Sequence, residues 1–179
     1  MRALVTAVFL AIFPVSGMAA APQPGNGLDA PFQSIDGGTL DVAQWAGHPV
    51  LVVNTASMCG YTPQYKGLQA LYDTYRARGL VVLAVPSDDF NQEYATASQV
   101  KTFCHVNYDL TLPMTDITHV LGQDAHPFYK WVRAQTGFVP RWNFNKVLIS
   151  PDGRVAATWR EGTDPMAQDV RKTVEKYLR

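Results

Sequence analysis

Two cysteines, Cys59 and Cys104, are the residues of this chain whose side chains could do nucleophilic or redox chemistry through sulfur. Cys59 lies in the segment LVVNTASMCGYTPQY, residues 51–65, where an apolar run ends before a helical pattern begins. A thiol at such a position packs in the core, forms half of a structural disulfide, or acts as a nucleophile. A second cysteine permits one intramolecular disulfide, either permanent or part of a catalytic cycle.

The sequence after Cys59 favours the ionised form of a thiol. A free cysteine has a pKa of about 8.5 and is mostly protonated at neutral pH, so a nucleophilic site must stabilise the anion. Apolar residues recur at helical spacing after Pro63, which predicts a helix whose unpaired N–H groups would favour negative charge at its start. Gly60 is expected to permit a close approach of backbone at this bend.

The remaining pattern predicts the elements that hold these cysteines. PVLVVNTA and GLVVLAVP are apolar runs typical of strands buried on both faces. Gly37-Gly38 predicts an N-terminal β-hairpin, and KVLIS with RVAATW predicts a second hairpin around PDG. Strands that alternate with helices and end in a hairpin indicate an α/β fold, a three-layer sandwich in one domain.

Three further helices are predicted from their start signals. TASQ, residues 96–99, resembles a capping box and opens a helix with Val100, Phe103 and Cys104 on one face. Asp124 and Pro127 open a helix that ends at Gly137, and Asp164-Pro165 opens the last one.

The N-terminus has the pattern of a secretory signal peptide over residues 1–20. Arg2 precedes the apolar run ALVTAVFLAIF, which is followed by Pro14 and the small-residue segment SGMAAAPQPG. The run is shorter than the roughly 20 residues of a membrane-spanning helix, so cleavage after Ala19 or Ala20 is expected, with no stable membrane insertion afterwards. The mature domain, residues 21–179, is therefore expected to be periplasmic or secreted, where disulfides persist.

Charge balance and the spacing of cysteines and histidines argue against three classes of function. Lys plus Arg and Asp plus Glu are balanced at 15 each among 179 residues, so no basic excess indicates nucleic-acid binding. Cys59 has no CxxC partner, which argues against a thioredoxin-type disulfide oxidoreductase. The four histidines show no recognised ligand spacing with Cys59, which argues against a metallochaperone.

Four segments in order, NTASMCGYTPQYKGLQALY, LAVPSDDFNQE, DAHPFYKWV and RWNFNKVLISPDG, resemble the glutathione peroxidase family. The resemblance implies a thioredoxin-like three-layer sandwich with a central mixed sheet and the N-terminal β-hairpin. It places Cys59 at the family's peroxidatic cysteine or selenocysteine, and Trp142 and Asn143 at the paired Trp-Asn. Gln92 matches the active-site glutamine, although DDFNQEY is one residue shorter than the family pattern and has Tyr94 in place of the usual proline.

The function that the resemblance implies is reduction of hydrogen peroxide and organic hydroperoxides, in the response to oxidative stress. Glutathione or a thioredoxin-like protein would supply the electrons, with no metal or prosthetic group. Cys104 lies near the family's resolving cysteine, which attacks the sulfenic acid at Cys59 and closes a disulfide. The alternative is an exported thioredoxin-fold binding domain with a structural Cys59–Cys104 disulfide and no peroxidase activity.

Overall fold

A computed structural model describes residues 27–179, so the predicted signal peptide lies outside the described residues. The described part of the chain begins with two short antiparallel strands, β1 (Phe32–Gln33) and β2 (Thr39–Leu40). Gly37 and Gly38 turn the chain between them with φ of +90° and +74°, values that glycine adopts readily. The N-terminal hairpin predicted from Gly-Gly is therefore confirmed.

The central sheet contains four strands, β3 (Val50–Thr55), β4 (Val81–Pro86), β5 (Lys146–Ile149) and β6 (Val155–Trp159). Their spatial order is β4-β3-β5-β6, with β3 and β4 parallel and the other two pairs antiparallel. Strand β3 is buried along its whole length because it lies between β4 and β5 and both faces of the sheet are covered. The mixed central sheet is thus as predicted.

Within residues 27–179, four α-helices pack on this sheet: α1 (Gln64–Tyr75), α2 (Ala97–Tyr108), α3 (Pro127–Thr136) and α4 (Gln168–Glu175). Successive side chains of a strand point to opposite faces, so β3 contributes Leu51 and Val53 to one core and Val50 and Val52 to the other. The first core contains residues of α1, α2 and α4, and the second contains residues of α3 and the N-terminal hairpin. This is the expected three-layer sandwich.

Helix α3 begins at Pro127 and ends before Gly137, as predicted, whereas Asp124 does not cap it and the start of α4 differs from the prediction. Helix α3 has His126, not Asp124, as its N-cap, and the His126 side chain accepts the Phe128 N–H at 3.2 Å. Helix α4 begins at Gln168 because the Asp164 side chain accepts the Met166 N–H at 2.6 Å and closes a separate turn first. In both cases the predicted acidic residue lies before the helix, and the residue at the N-cap position lies further along the chain.

Helix α2 begins as predicted. The Thr96 side chain accepts the Gln99 N–H, and Val100 and Cys104 are buried on the inner face of the helix. None of the helices within residues 27–179 is both long and apolar enough to cross a membrane.

Candidate active site

Cys59 lies in a tight turn between β3 and α1. Its backbone N–H donates to Thr62 Oγ1 at 3.0 Å, and that hydroxyl donates to the Ala56 carbonyl at 2.9 Å. Thr62 therefore fixes the turn from both sides. The turn places the Tyr61 backbone N–H 3.4 Å from Cys59 Sγ, to which it donates.

This geometry bears on two expectations about the thiol. A backbone donor contacts the sulfur, but it is the N–H of Tyr61, three residues before α1 begins at Gln64. Gly60, however, permits no close approach of backbone, because a Cβ built there would meet no heavy atom within 4 Å.

Exposed apolar and aromatic side chains flank Cys59 in the chain. Cys59 itself is only 7% exposed, while its neighbours Met58 and Tyr61 are 53% and 38% exposed. Trp142 is 36% exposed, and its ring packs against that of Phe90 with 5.3 Å between centroids. Met58 and Tyr61 thus present exposed side chains on either side of Cys59 in the chain, and Trp142 with Phe90 forms an aromatic pair on the surface.

Gln92 and Asn143 are brought together from two distant loops. Asn143 is fully buried, and its Nδ2 donates to Gln92 Oε1 at 3.1 Å. The backbone carbonyl of Gln92 accepts the N–H of Met58, the residue before Cys59, at 2.9 Å. The shortened loop thus brings Gln92 to the Cys59 turn, with Asn91 in the left-handed region at φ of +56°.

The next residue of this loop, Glu93, is a site residue that the sequence did not single out. Glu93 is 5% exposed, and its Oε1 accepts the N–H groups of Ser57 at 3.1 Å and of Tyr94 at 2.9 Å. Burial raises the pKa of this carboxyl above its ordinary value. Glu93 therefore joins the end of β3 to the segment that leads into α2.

Cys104 does not form a disulfide with Cys59, and both residues are free thiols in the structure. Cys104 is 2% exposed in α2 and packs in the same core as Cys59 and Tyr65. Burial raises the pKa of the Cys104 thiol to about 12, with a smaller contribution from Glu93, although Tyr65 opposes the shift. In this conformation Cys104 is a buried, protonated thiol.

A second set of residues that the sequence did not single out holds the Trp142-Asn143 segment. The Trp142 carbonyl accepts Nδ2 of Asn54 at 2.9 Å and Nδ2 of Asn145 at 2.7 Å. The Lys146 ammonium, also buried, donates to the Phe144 carbonyl at 2.8 Å. The only signals for these contacts in the sequence were polar residues inside strands that are otherwise apolar.

The described part of the chain contains no group of three or more His, Cys, Asp or Glu side chains that could hold a metal ion. The chemistry that this arrangement can perform is that of a thiol that accepts a backbone N–H, with a bonded pair of side-chain amides tied through the Gln92 backbone to the residue before it.

Comparison with known proteins decides the family. The family model for glutathione peroxidase matches residues 28–133. The chain belongs to the glutathione peroxidase family. The chain is 37% identical over 150 residues to glutathione peroxidase of Lactococcus lactis subsp. cremoris, a match that covers 80% of this chain and 94% of that protein.

Two further relatives of this glutathione peroxidase-like enzyme agree with the assignment. The hydroperoxy fatty acid reductase gpx1 of Synechocystis sp. is 35% identical over 156 residues, covering 81% of this chain and 91% of that protein. The crystal structure of Trgpx in apo form superposes with a TM-score of 0.67 at 30% identity, covering 86% of this chain and 95% of the other. The architecture is accordingly the thioredoxin-like α/β fold of this family.

Proposed function

We propose that this glutathione peroxidase-like enzyme reduces hydrogen peroxide and organic hydroperoxides through Cys59. The thiolate attacks one peroxide oxygen, so that an S–O bond forms as the O–O bond breaks. The sulfur is oxidised to a sulfenic acid, and the departing oxygen takes up a proton to leave as water or an alcohol. The observation that carries the proposal is the N–H of Tyr61 directed at Cys59 Sγ, 3.4 Å away, in the turn that precedes α1.

Gln92, Asn143 and Trp142 are proposed as the neutral donors of this step. The bond from Asn143 to Gln92 and the anchoring of Gln92 on Met58 support a common site for the two amides. Trp142 precedes Asn143 in a loop whose carbonyls are fixed by buried side chains. Donors that are fixed before the reaction stabilise growing negative charge without the cost of reorganisation.

Cys104 is proposed as the resolving residue. Its sulfur attacks the sulfenic sulfur of Cys59, the S–S bond forms, the S–O bond breaks, and hydroxide leaves with the thiol proton as water. The Cα atoms of a disulfide lie about 4.4–6.8 Å apart, and a thiol on the inner face of an intact α2 is not free to move to Cys59. We therefore include local unwinding of α2 in the mechanism.

An external thiol then restores the enzyme. With Cys104 as resolving residue, the oxidised enzyme is an intramolecular disulfide, which favours a thioredoxin-like dithiol over glutathione as reductant. Removal of hydroperoxides is the chemistry of an oxidative-stress response, and we assign the enzyme to that role.

The location of the enzyme is proposed from the leader sequence alone. Residues 1–20 have the three parts of a signal peptide, and a cleaved, periplasmic or secreted enzyme is expected. The intact mass of the exported protein, starting at Ala20 or Ala21, checks this.

Thiol titration tests the proposed chemistry. Reduced wild-type protein should lose two thiols together after one equivalent of hydroperoxide. Cys59→Ser should lose none, and Cys104→Ser should lose one and leave a sulfenic acid that a dimedone probe captures. Two titratable thiols that survive peroxide treatment would contradict the peroxidase, and no titratable thiols in the reduced, washed protein would favour the binding domain with a static disulfide.

The same variants test the reductant. Cys104→Ser should turn over poorly with thioredoxin while still completing one round of peroxide reduction. Normal turnover of that variant with thioredoxin would refute the resolving role, and stopped-flow comparison of thioredoxin with glutathione identifies the better donor.

A further inference from the structure

Lys146 is a lysine that is fully buried in the core. It is the first residue of β5 and has 0% exposure, and its ammonium donates to Gln64 Oε1 at 2.6 Å and to the Phe144 carbonyl at 2.8 Å. Buried ammonium groups are rare because the charge loses its hydration. The side chain of Lys146 therefore requires an explanation that packing alone does not provide.

The two partners of Lys146 belong to the two backbone segments that carry the proposed site. Gln64 is the first residue of α1, the helix that begins directly after the Cys59 turn. Phe144 follows Trp142 and Asn143 in the loop that enters β5, and its backbone has φ of +65°. A bulky residue with positive φ is strained, and such a conformation persists only where the surroundings enforce it.

The side-chain amide of Gln64 has a second hydrogen-bond partner besides Lys146. Gln64 Nε2 donates to the Glu161 carbonyl at 2.6 Å, so the side-chain amide is held at both ends. Lys146 thus joins a fixed point at the start of α1 to the carbonyl that follows the Trp142-Asn143 pair.

The energetic cost of this arrangement agrees with a role in the site. Burial lowers the pKa of Lys146 to about 8, although Asp164 and Glu161 act to raise it. An apolar side chain of similar length would fill the same volume without that cost. What the structure gains from the ammonium is therefore its two hydrogen bonds, not its packing.

We propose that Lys146 is a positioning residue for the oxidation of Cys59, because it fixes the Trp142-Asn143 segment relative to the start of α1. This inference rests on the proposed function. Lys146 acts through the two segments that it joins, and the geometry gives it no role as a proton donor to the peroxide.

Two substitutions separate hydrogen bonding from packing. Lys146→Met keeps the length of the side chain and removes every donor, whereas Lys146→Gln keeps an N–H donor but fits an apolar environment less well. If Lys146 positions the site, the second-order rate constant for Cys59 oxidation by hydrogen peroxide should fall about ten-fold or more in Lys146→Met and less in Lys146→Gln. A packing role predicts the opposite order, because methionine is the better core residue.

A double-mutant cycle tests whether the effect passes through α1. Gln64→Leu removes the acceptor at the start of the helix, and its combination with Lys146→Met should be little worse than Lys146→Met alone, since both remove the same link. Lys172→Met, a matched change at an exposed position on α4, should leave the rate unchanged.

Stopped-flow fluorescence of the fully reduced proteins measures these rates, and circular dichroism verifies that each variant is folded. If Lys146→Met is misfolded, Lys146→Gln and Gln64→Leu still decide the matter. Wild-type rates in these two variants would overturn the inference and leave the peroxidase intact, whereas a wild-type protein that peroxide does not oxidise would overturn both.

Discussion

Trp142 allows the donor role to be tested at a single atom. Trp142→Phe removes the indole N–H and keeps an aromatic ring against Phe90, where the two rings now lie 5.3 Å apart. Loss of one preorganised donor costs roughly 10²–10³ in rate at a strong oxyanion site, and we expect about ten-fold or more here. Stopped-flow oxidation of Cys59 measures it, and an unchanged rate constant would contradict the role assigned to Trp142.

The sequence predicted a candidate reactive sulfur and candidate donors, but not the residues that hold these segments in place. Cys59, Gln92, Trp142 and Asn143 were assigned through segments that resemble the glutathione peroxidase family. Lys146 lies in one of these segments but was given no role, because its burial depends on Gln64, which lies far from it in the sequence. A lysine at the start of an apolar strand is equally compatible with a solvent-exposed strand end.

Glu93 illustrates the same limit. Its position beside Gln92 indicates an exposed polar loop, yet the carboxyl is buried because two backbone N–H groups need an acceptor there. Only the folded structure shows that these N–H groups need an acceptor, because Ser57 lies far from Glu93 in the sequence and donates to it across the loop.

At the scale of the element, the proposed mechanism depends on the stability of α2. Thr102 is exposed in the middle of this helix, where alanine and glycine differ in helix propensity by about 1 kcal/mol. If α2 must unwind before Cys104 reacts, disulfide formation should be up to about five-fold faster in Thr102→Gly than in Thr102→Ala. Quenched-flow thiol alkylation after a peroxide pulse measures this step.

The control for that comparison lies on another helix. Ala134→Gly introduces the same loss of helix propensity at an exposed position of α3 and should leave the rate of disulfide formation unchanged. Equal rates in the two Thr102 variants would show that α2 stays folded during the reaction, and Cys104 would then need another path to Cys59.

The presence of each helix was easier to predict than the residue that caps its start. The start of α2 was correct because Thr96 and Gln99 form a local signal that needs no tertiary partner. Helix α3 begins at Pro127 as predicted, but its N-cap is His126 and not Asp124, and the ring of His126 is held by stacking on Phe32 with 3.7 Å between centroids. That stacking joins α3 to the N-terminal hairpin, and no local pattern reports it.

At the scale of the whole molecule, unbroken apolar strands that alternate with helices were sufficient to predict the layers. The valine-rich runs around β3 and β4 indicated strands covered on both faces, and the two cores confirm it. The order β4-β3-β5-β6 was not specified, because the pairing of β5 with β3 joins segments about 90 residues apart.

The stability of the oxidised molecule distinguishes a catalytic disulfide from a structural one. A permanent Cys59–Cys104 bridge would close a loop of about 45 residues and contribute roughly 4 kcal/mol. A catalytic bridge stabilises the protein by the same loop-closure free energy, but the unwinding of α2 removes the packing of that helix. This packing includes Val100, whose burial alone stabilises by about 1.5–3 kcal/mol. The two terms largely cancel, so we expect nearly equal Tm values for the reduced and oxidised enzyme.

Calorimetry of the two forms, with Cys104→Ser as a control that cannot form the bridge, measures the difference. In a domain of this size 1 kcal/mol corresponds to about 2–4 °C, so a purely structural bridge would raise the Tm by roughly 8–16 °C on oxidation. A rise of that magnitude would mean that α2 keeps its packing when the bridge forms. Cys104 would then belong to a static framework, and the resolving thiol would have to come from the reductant.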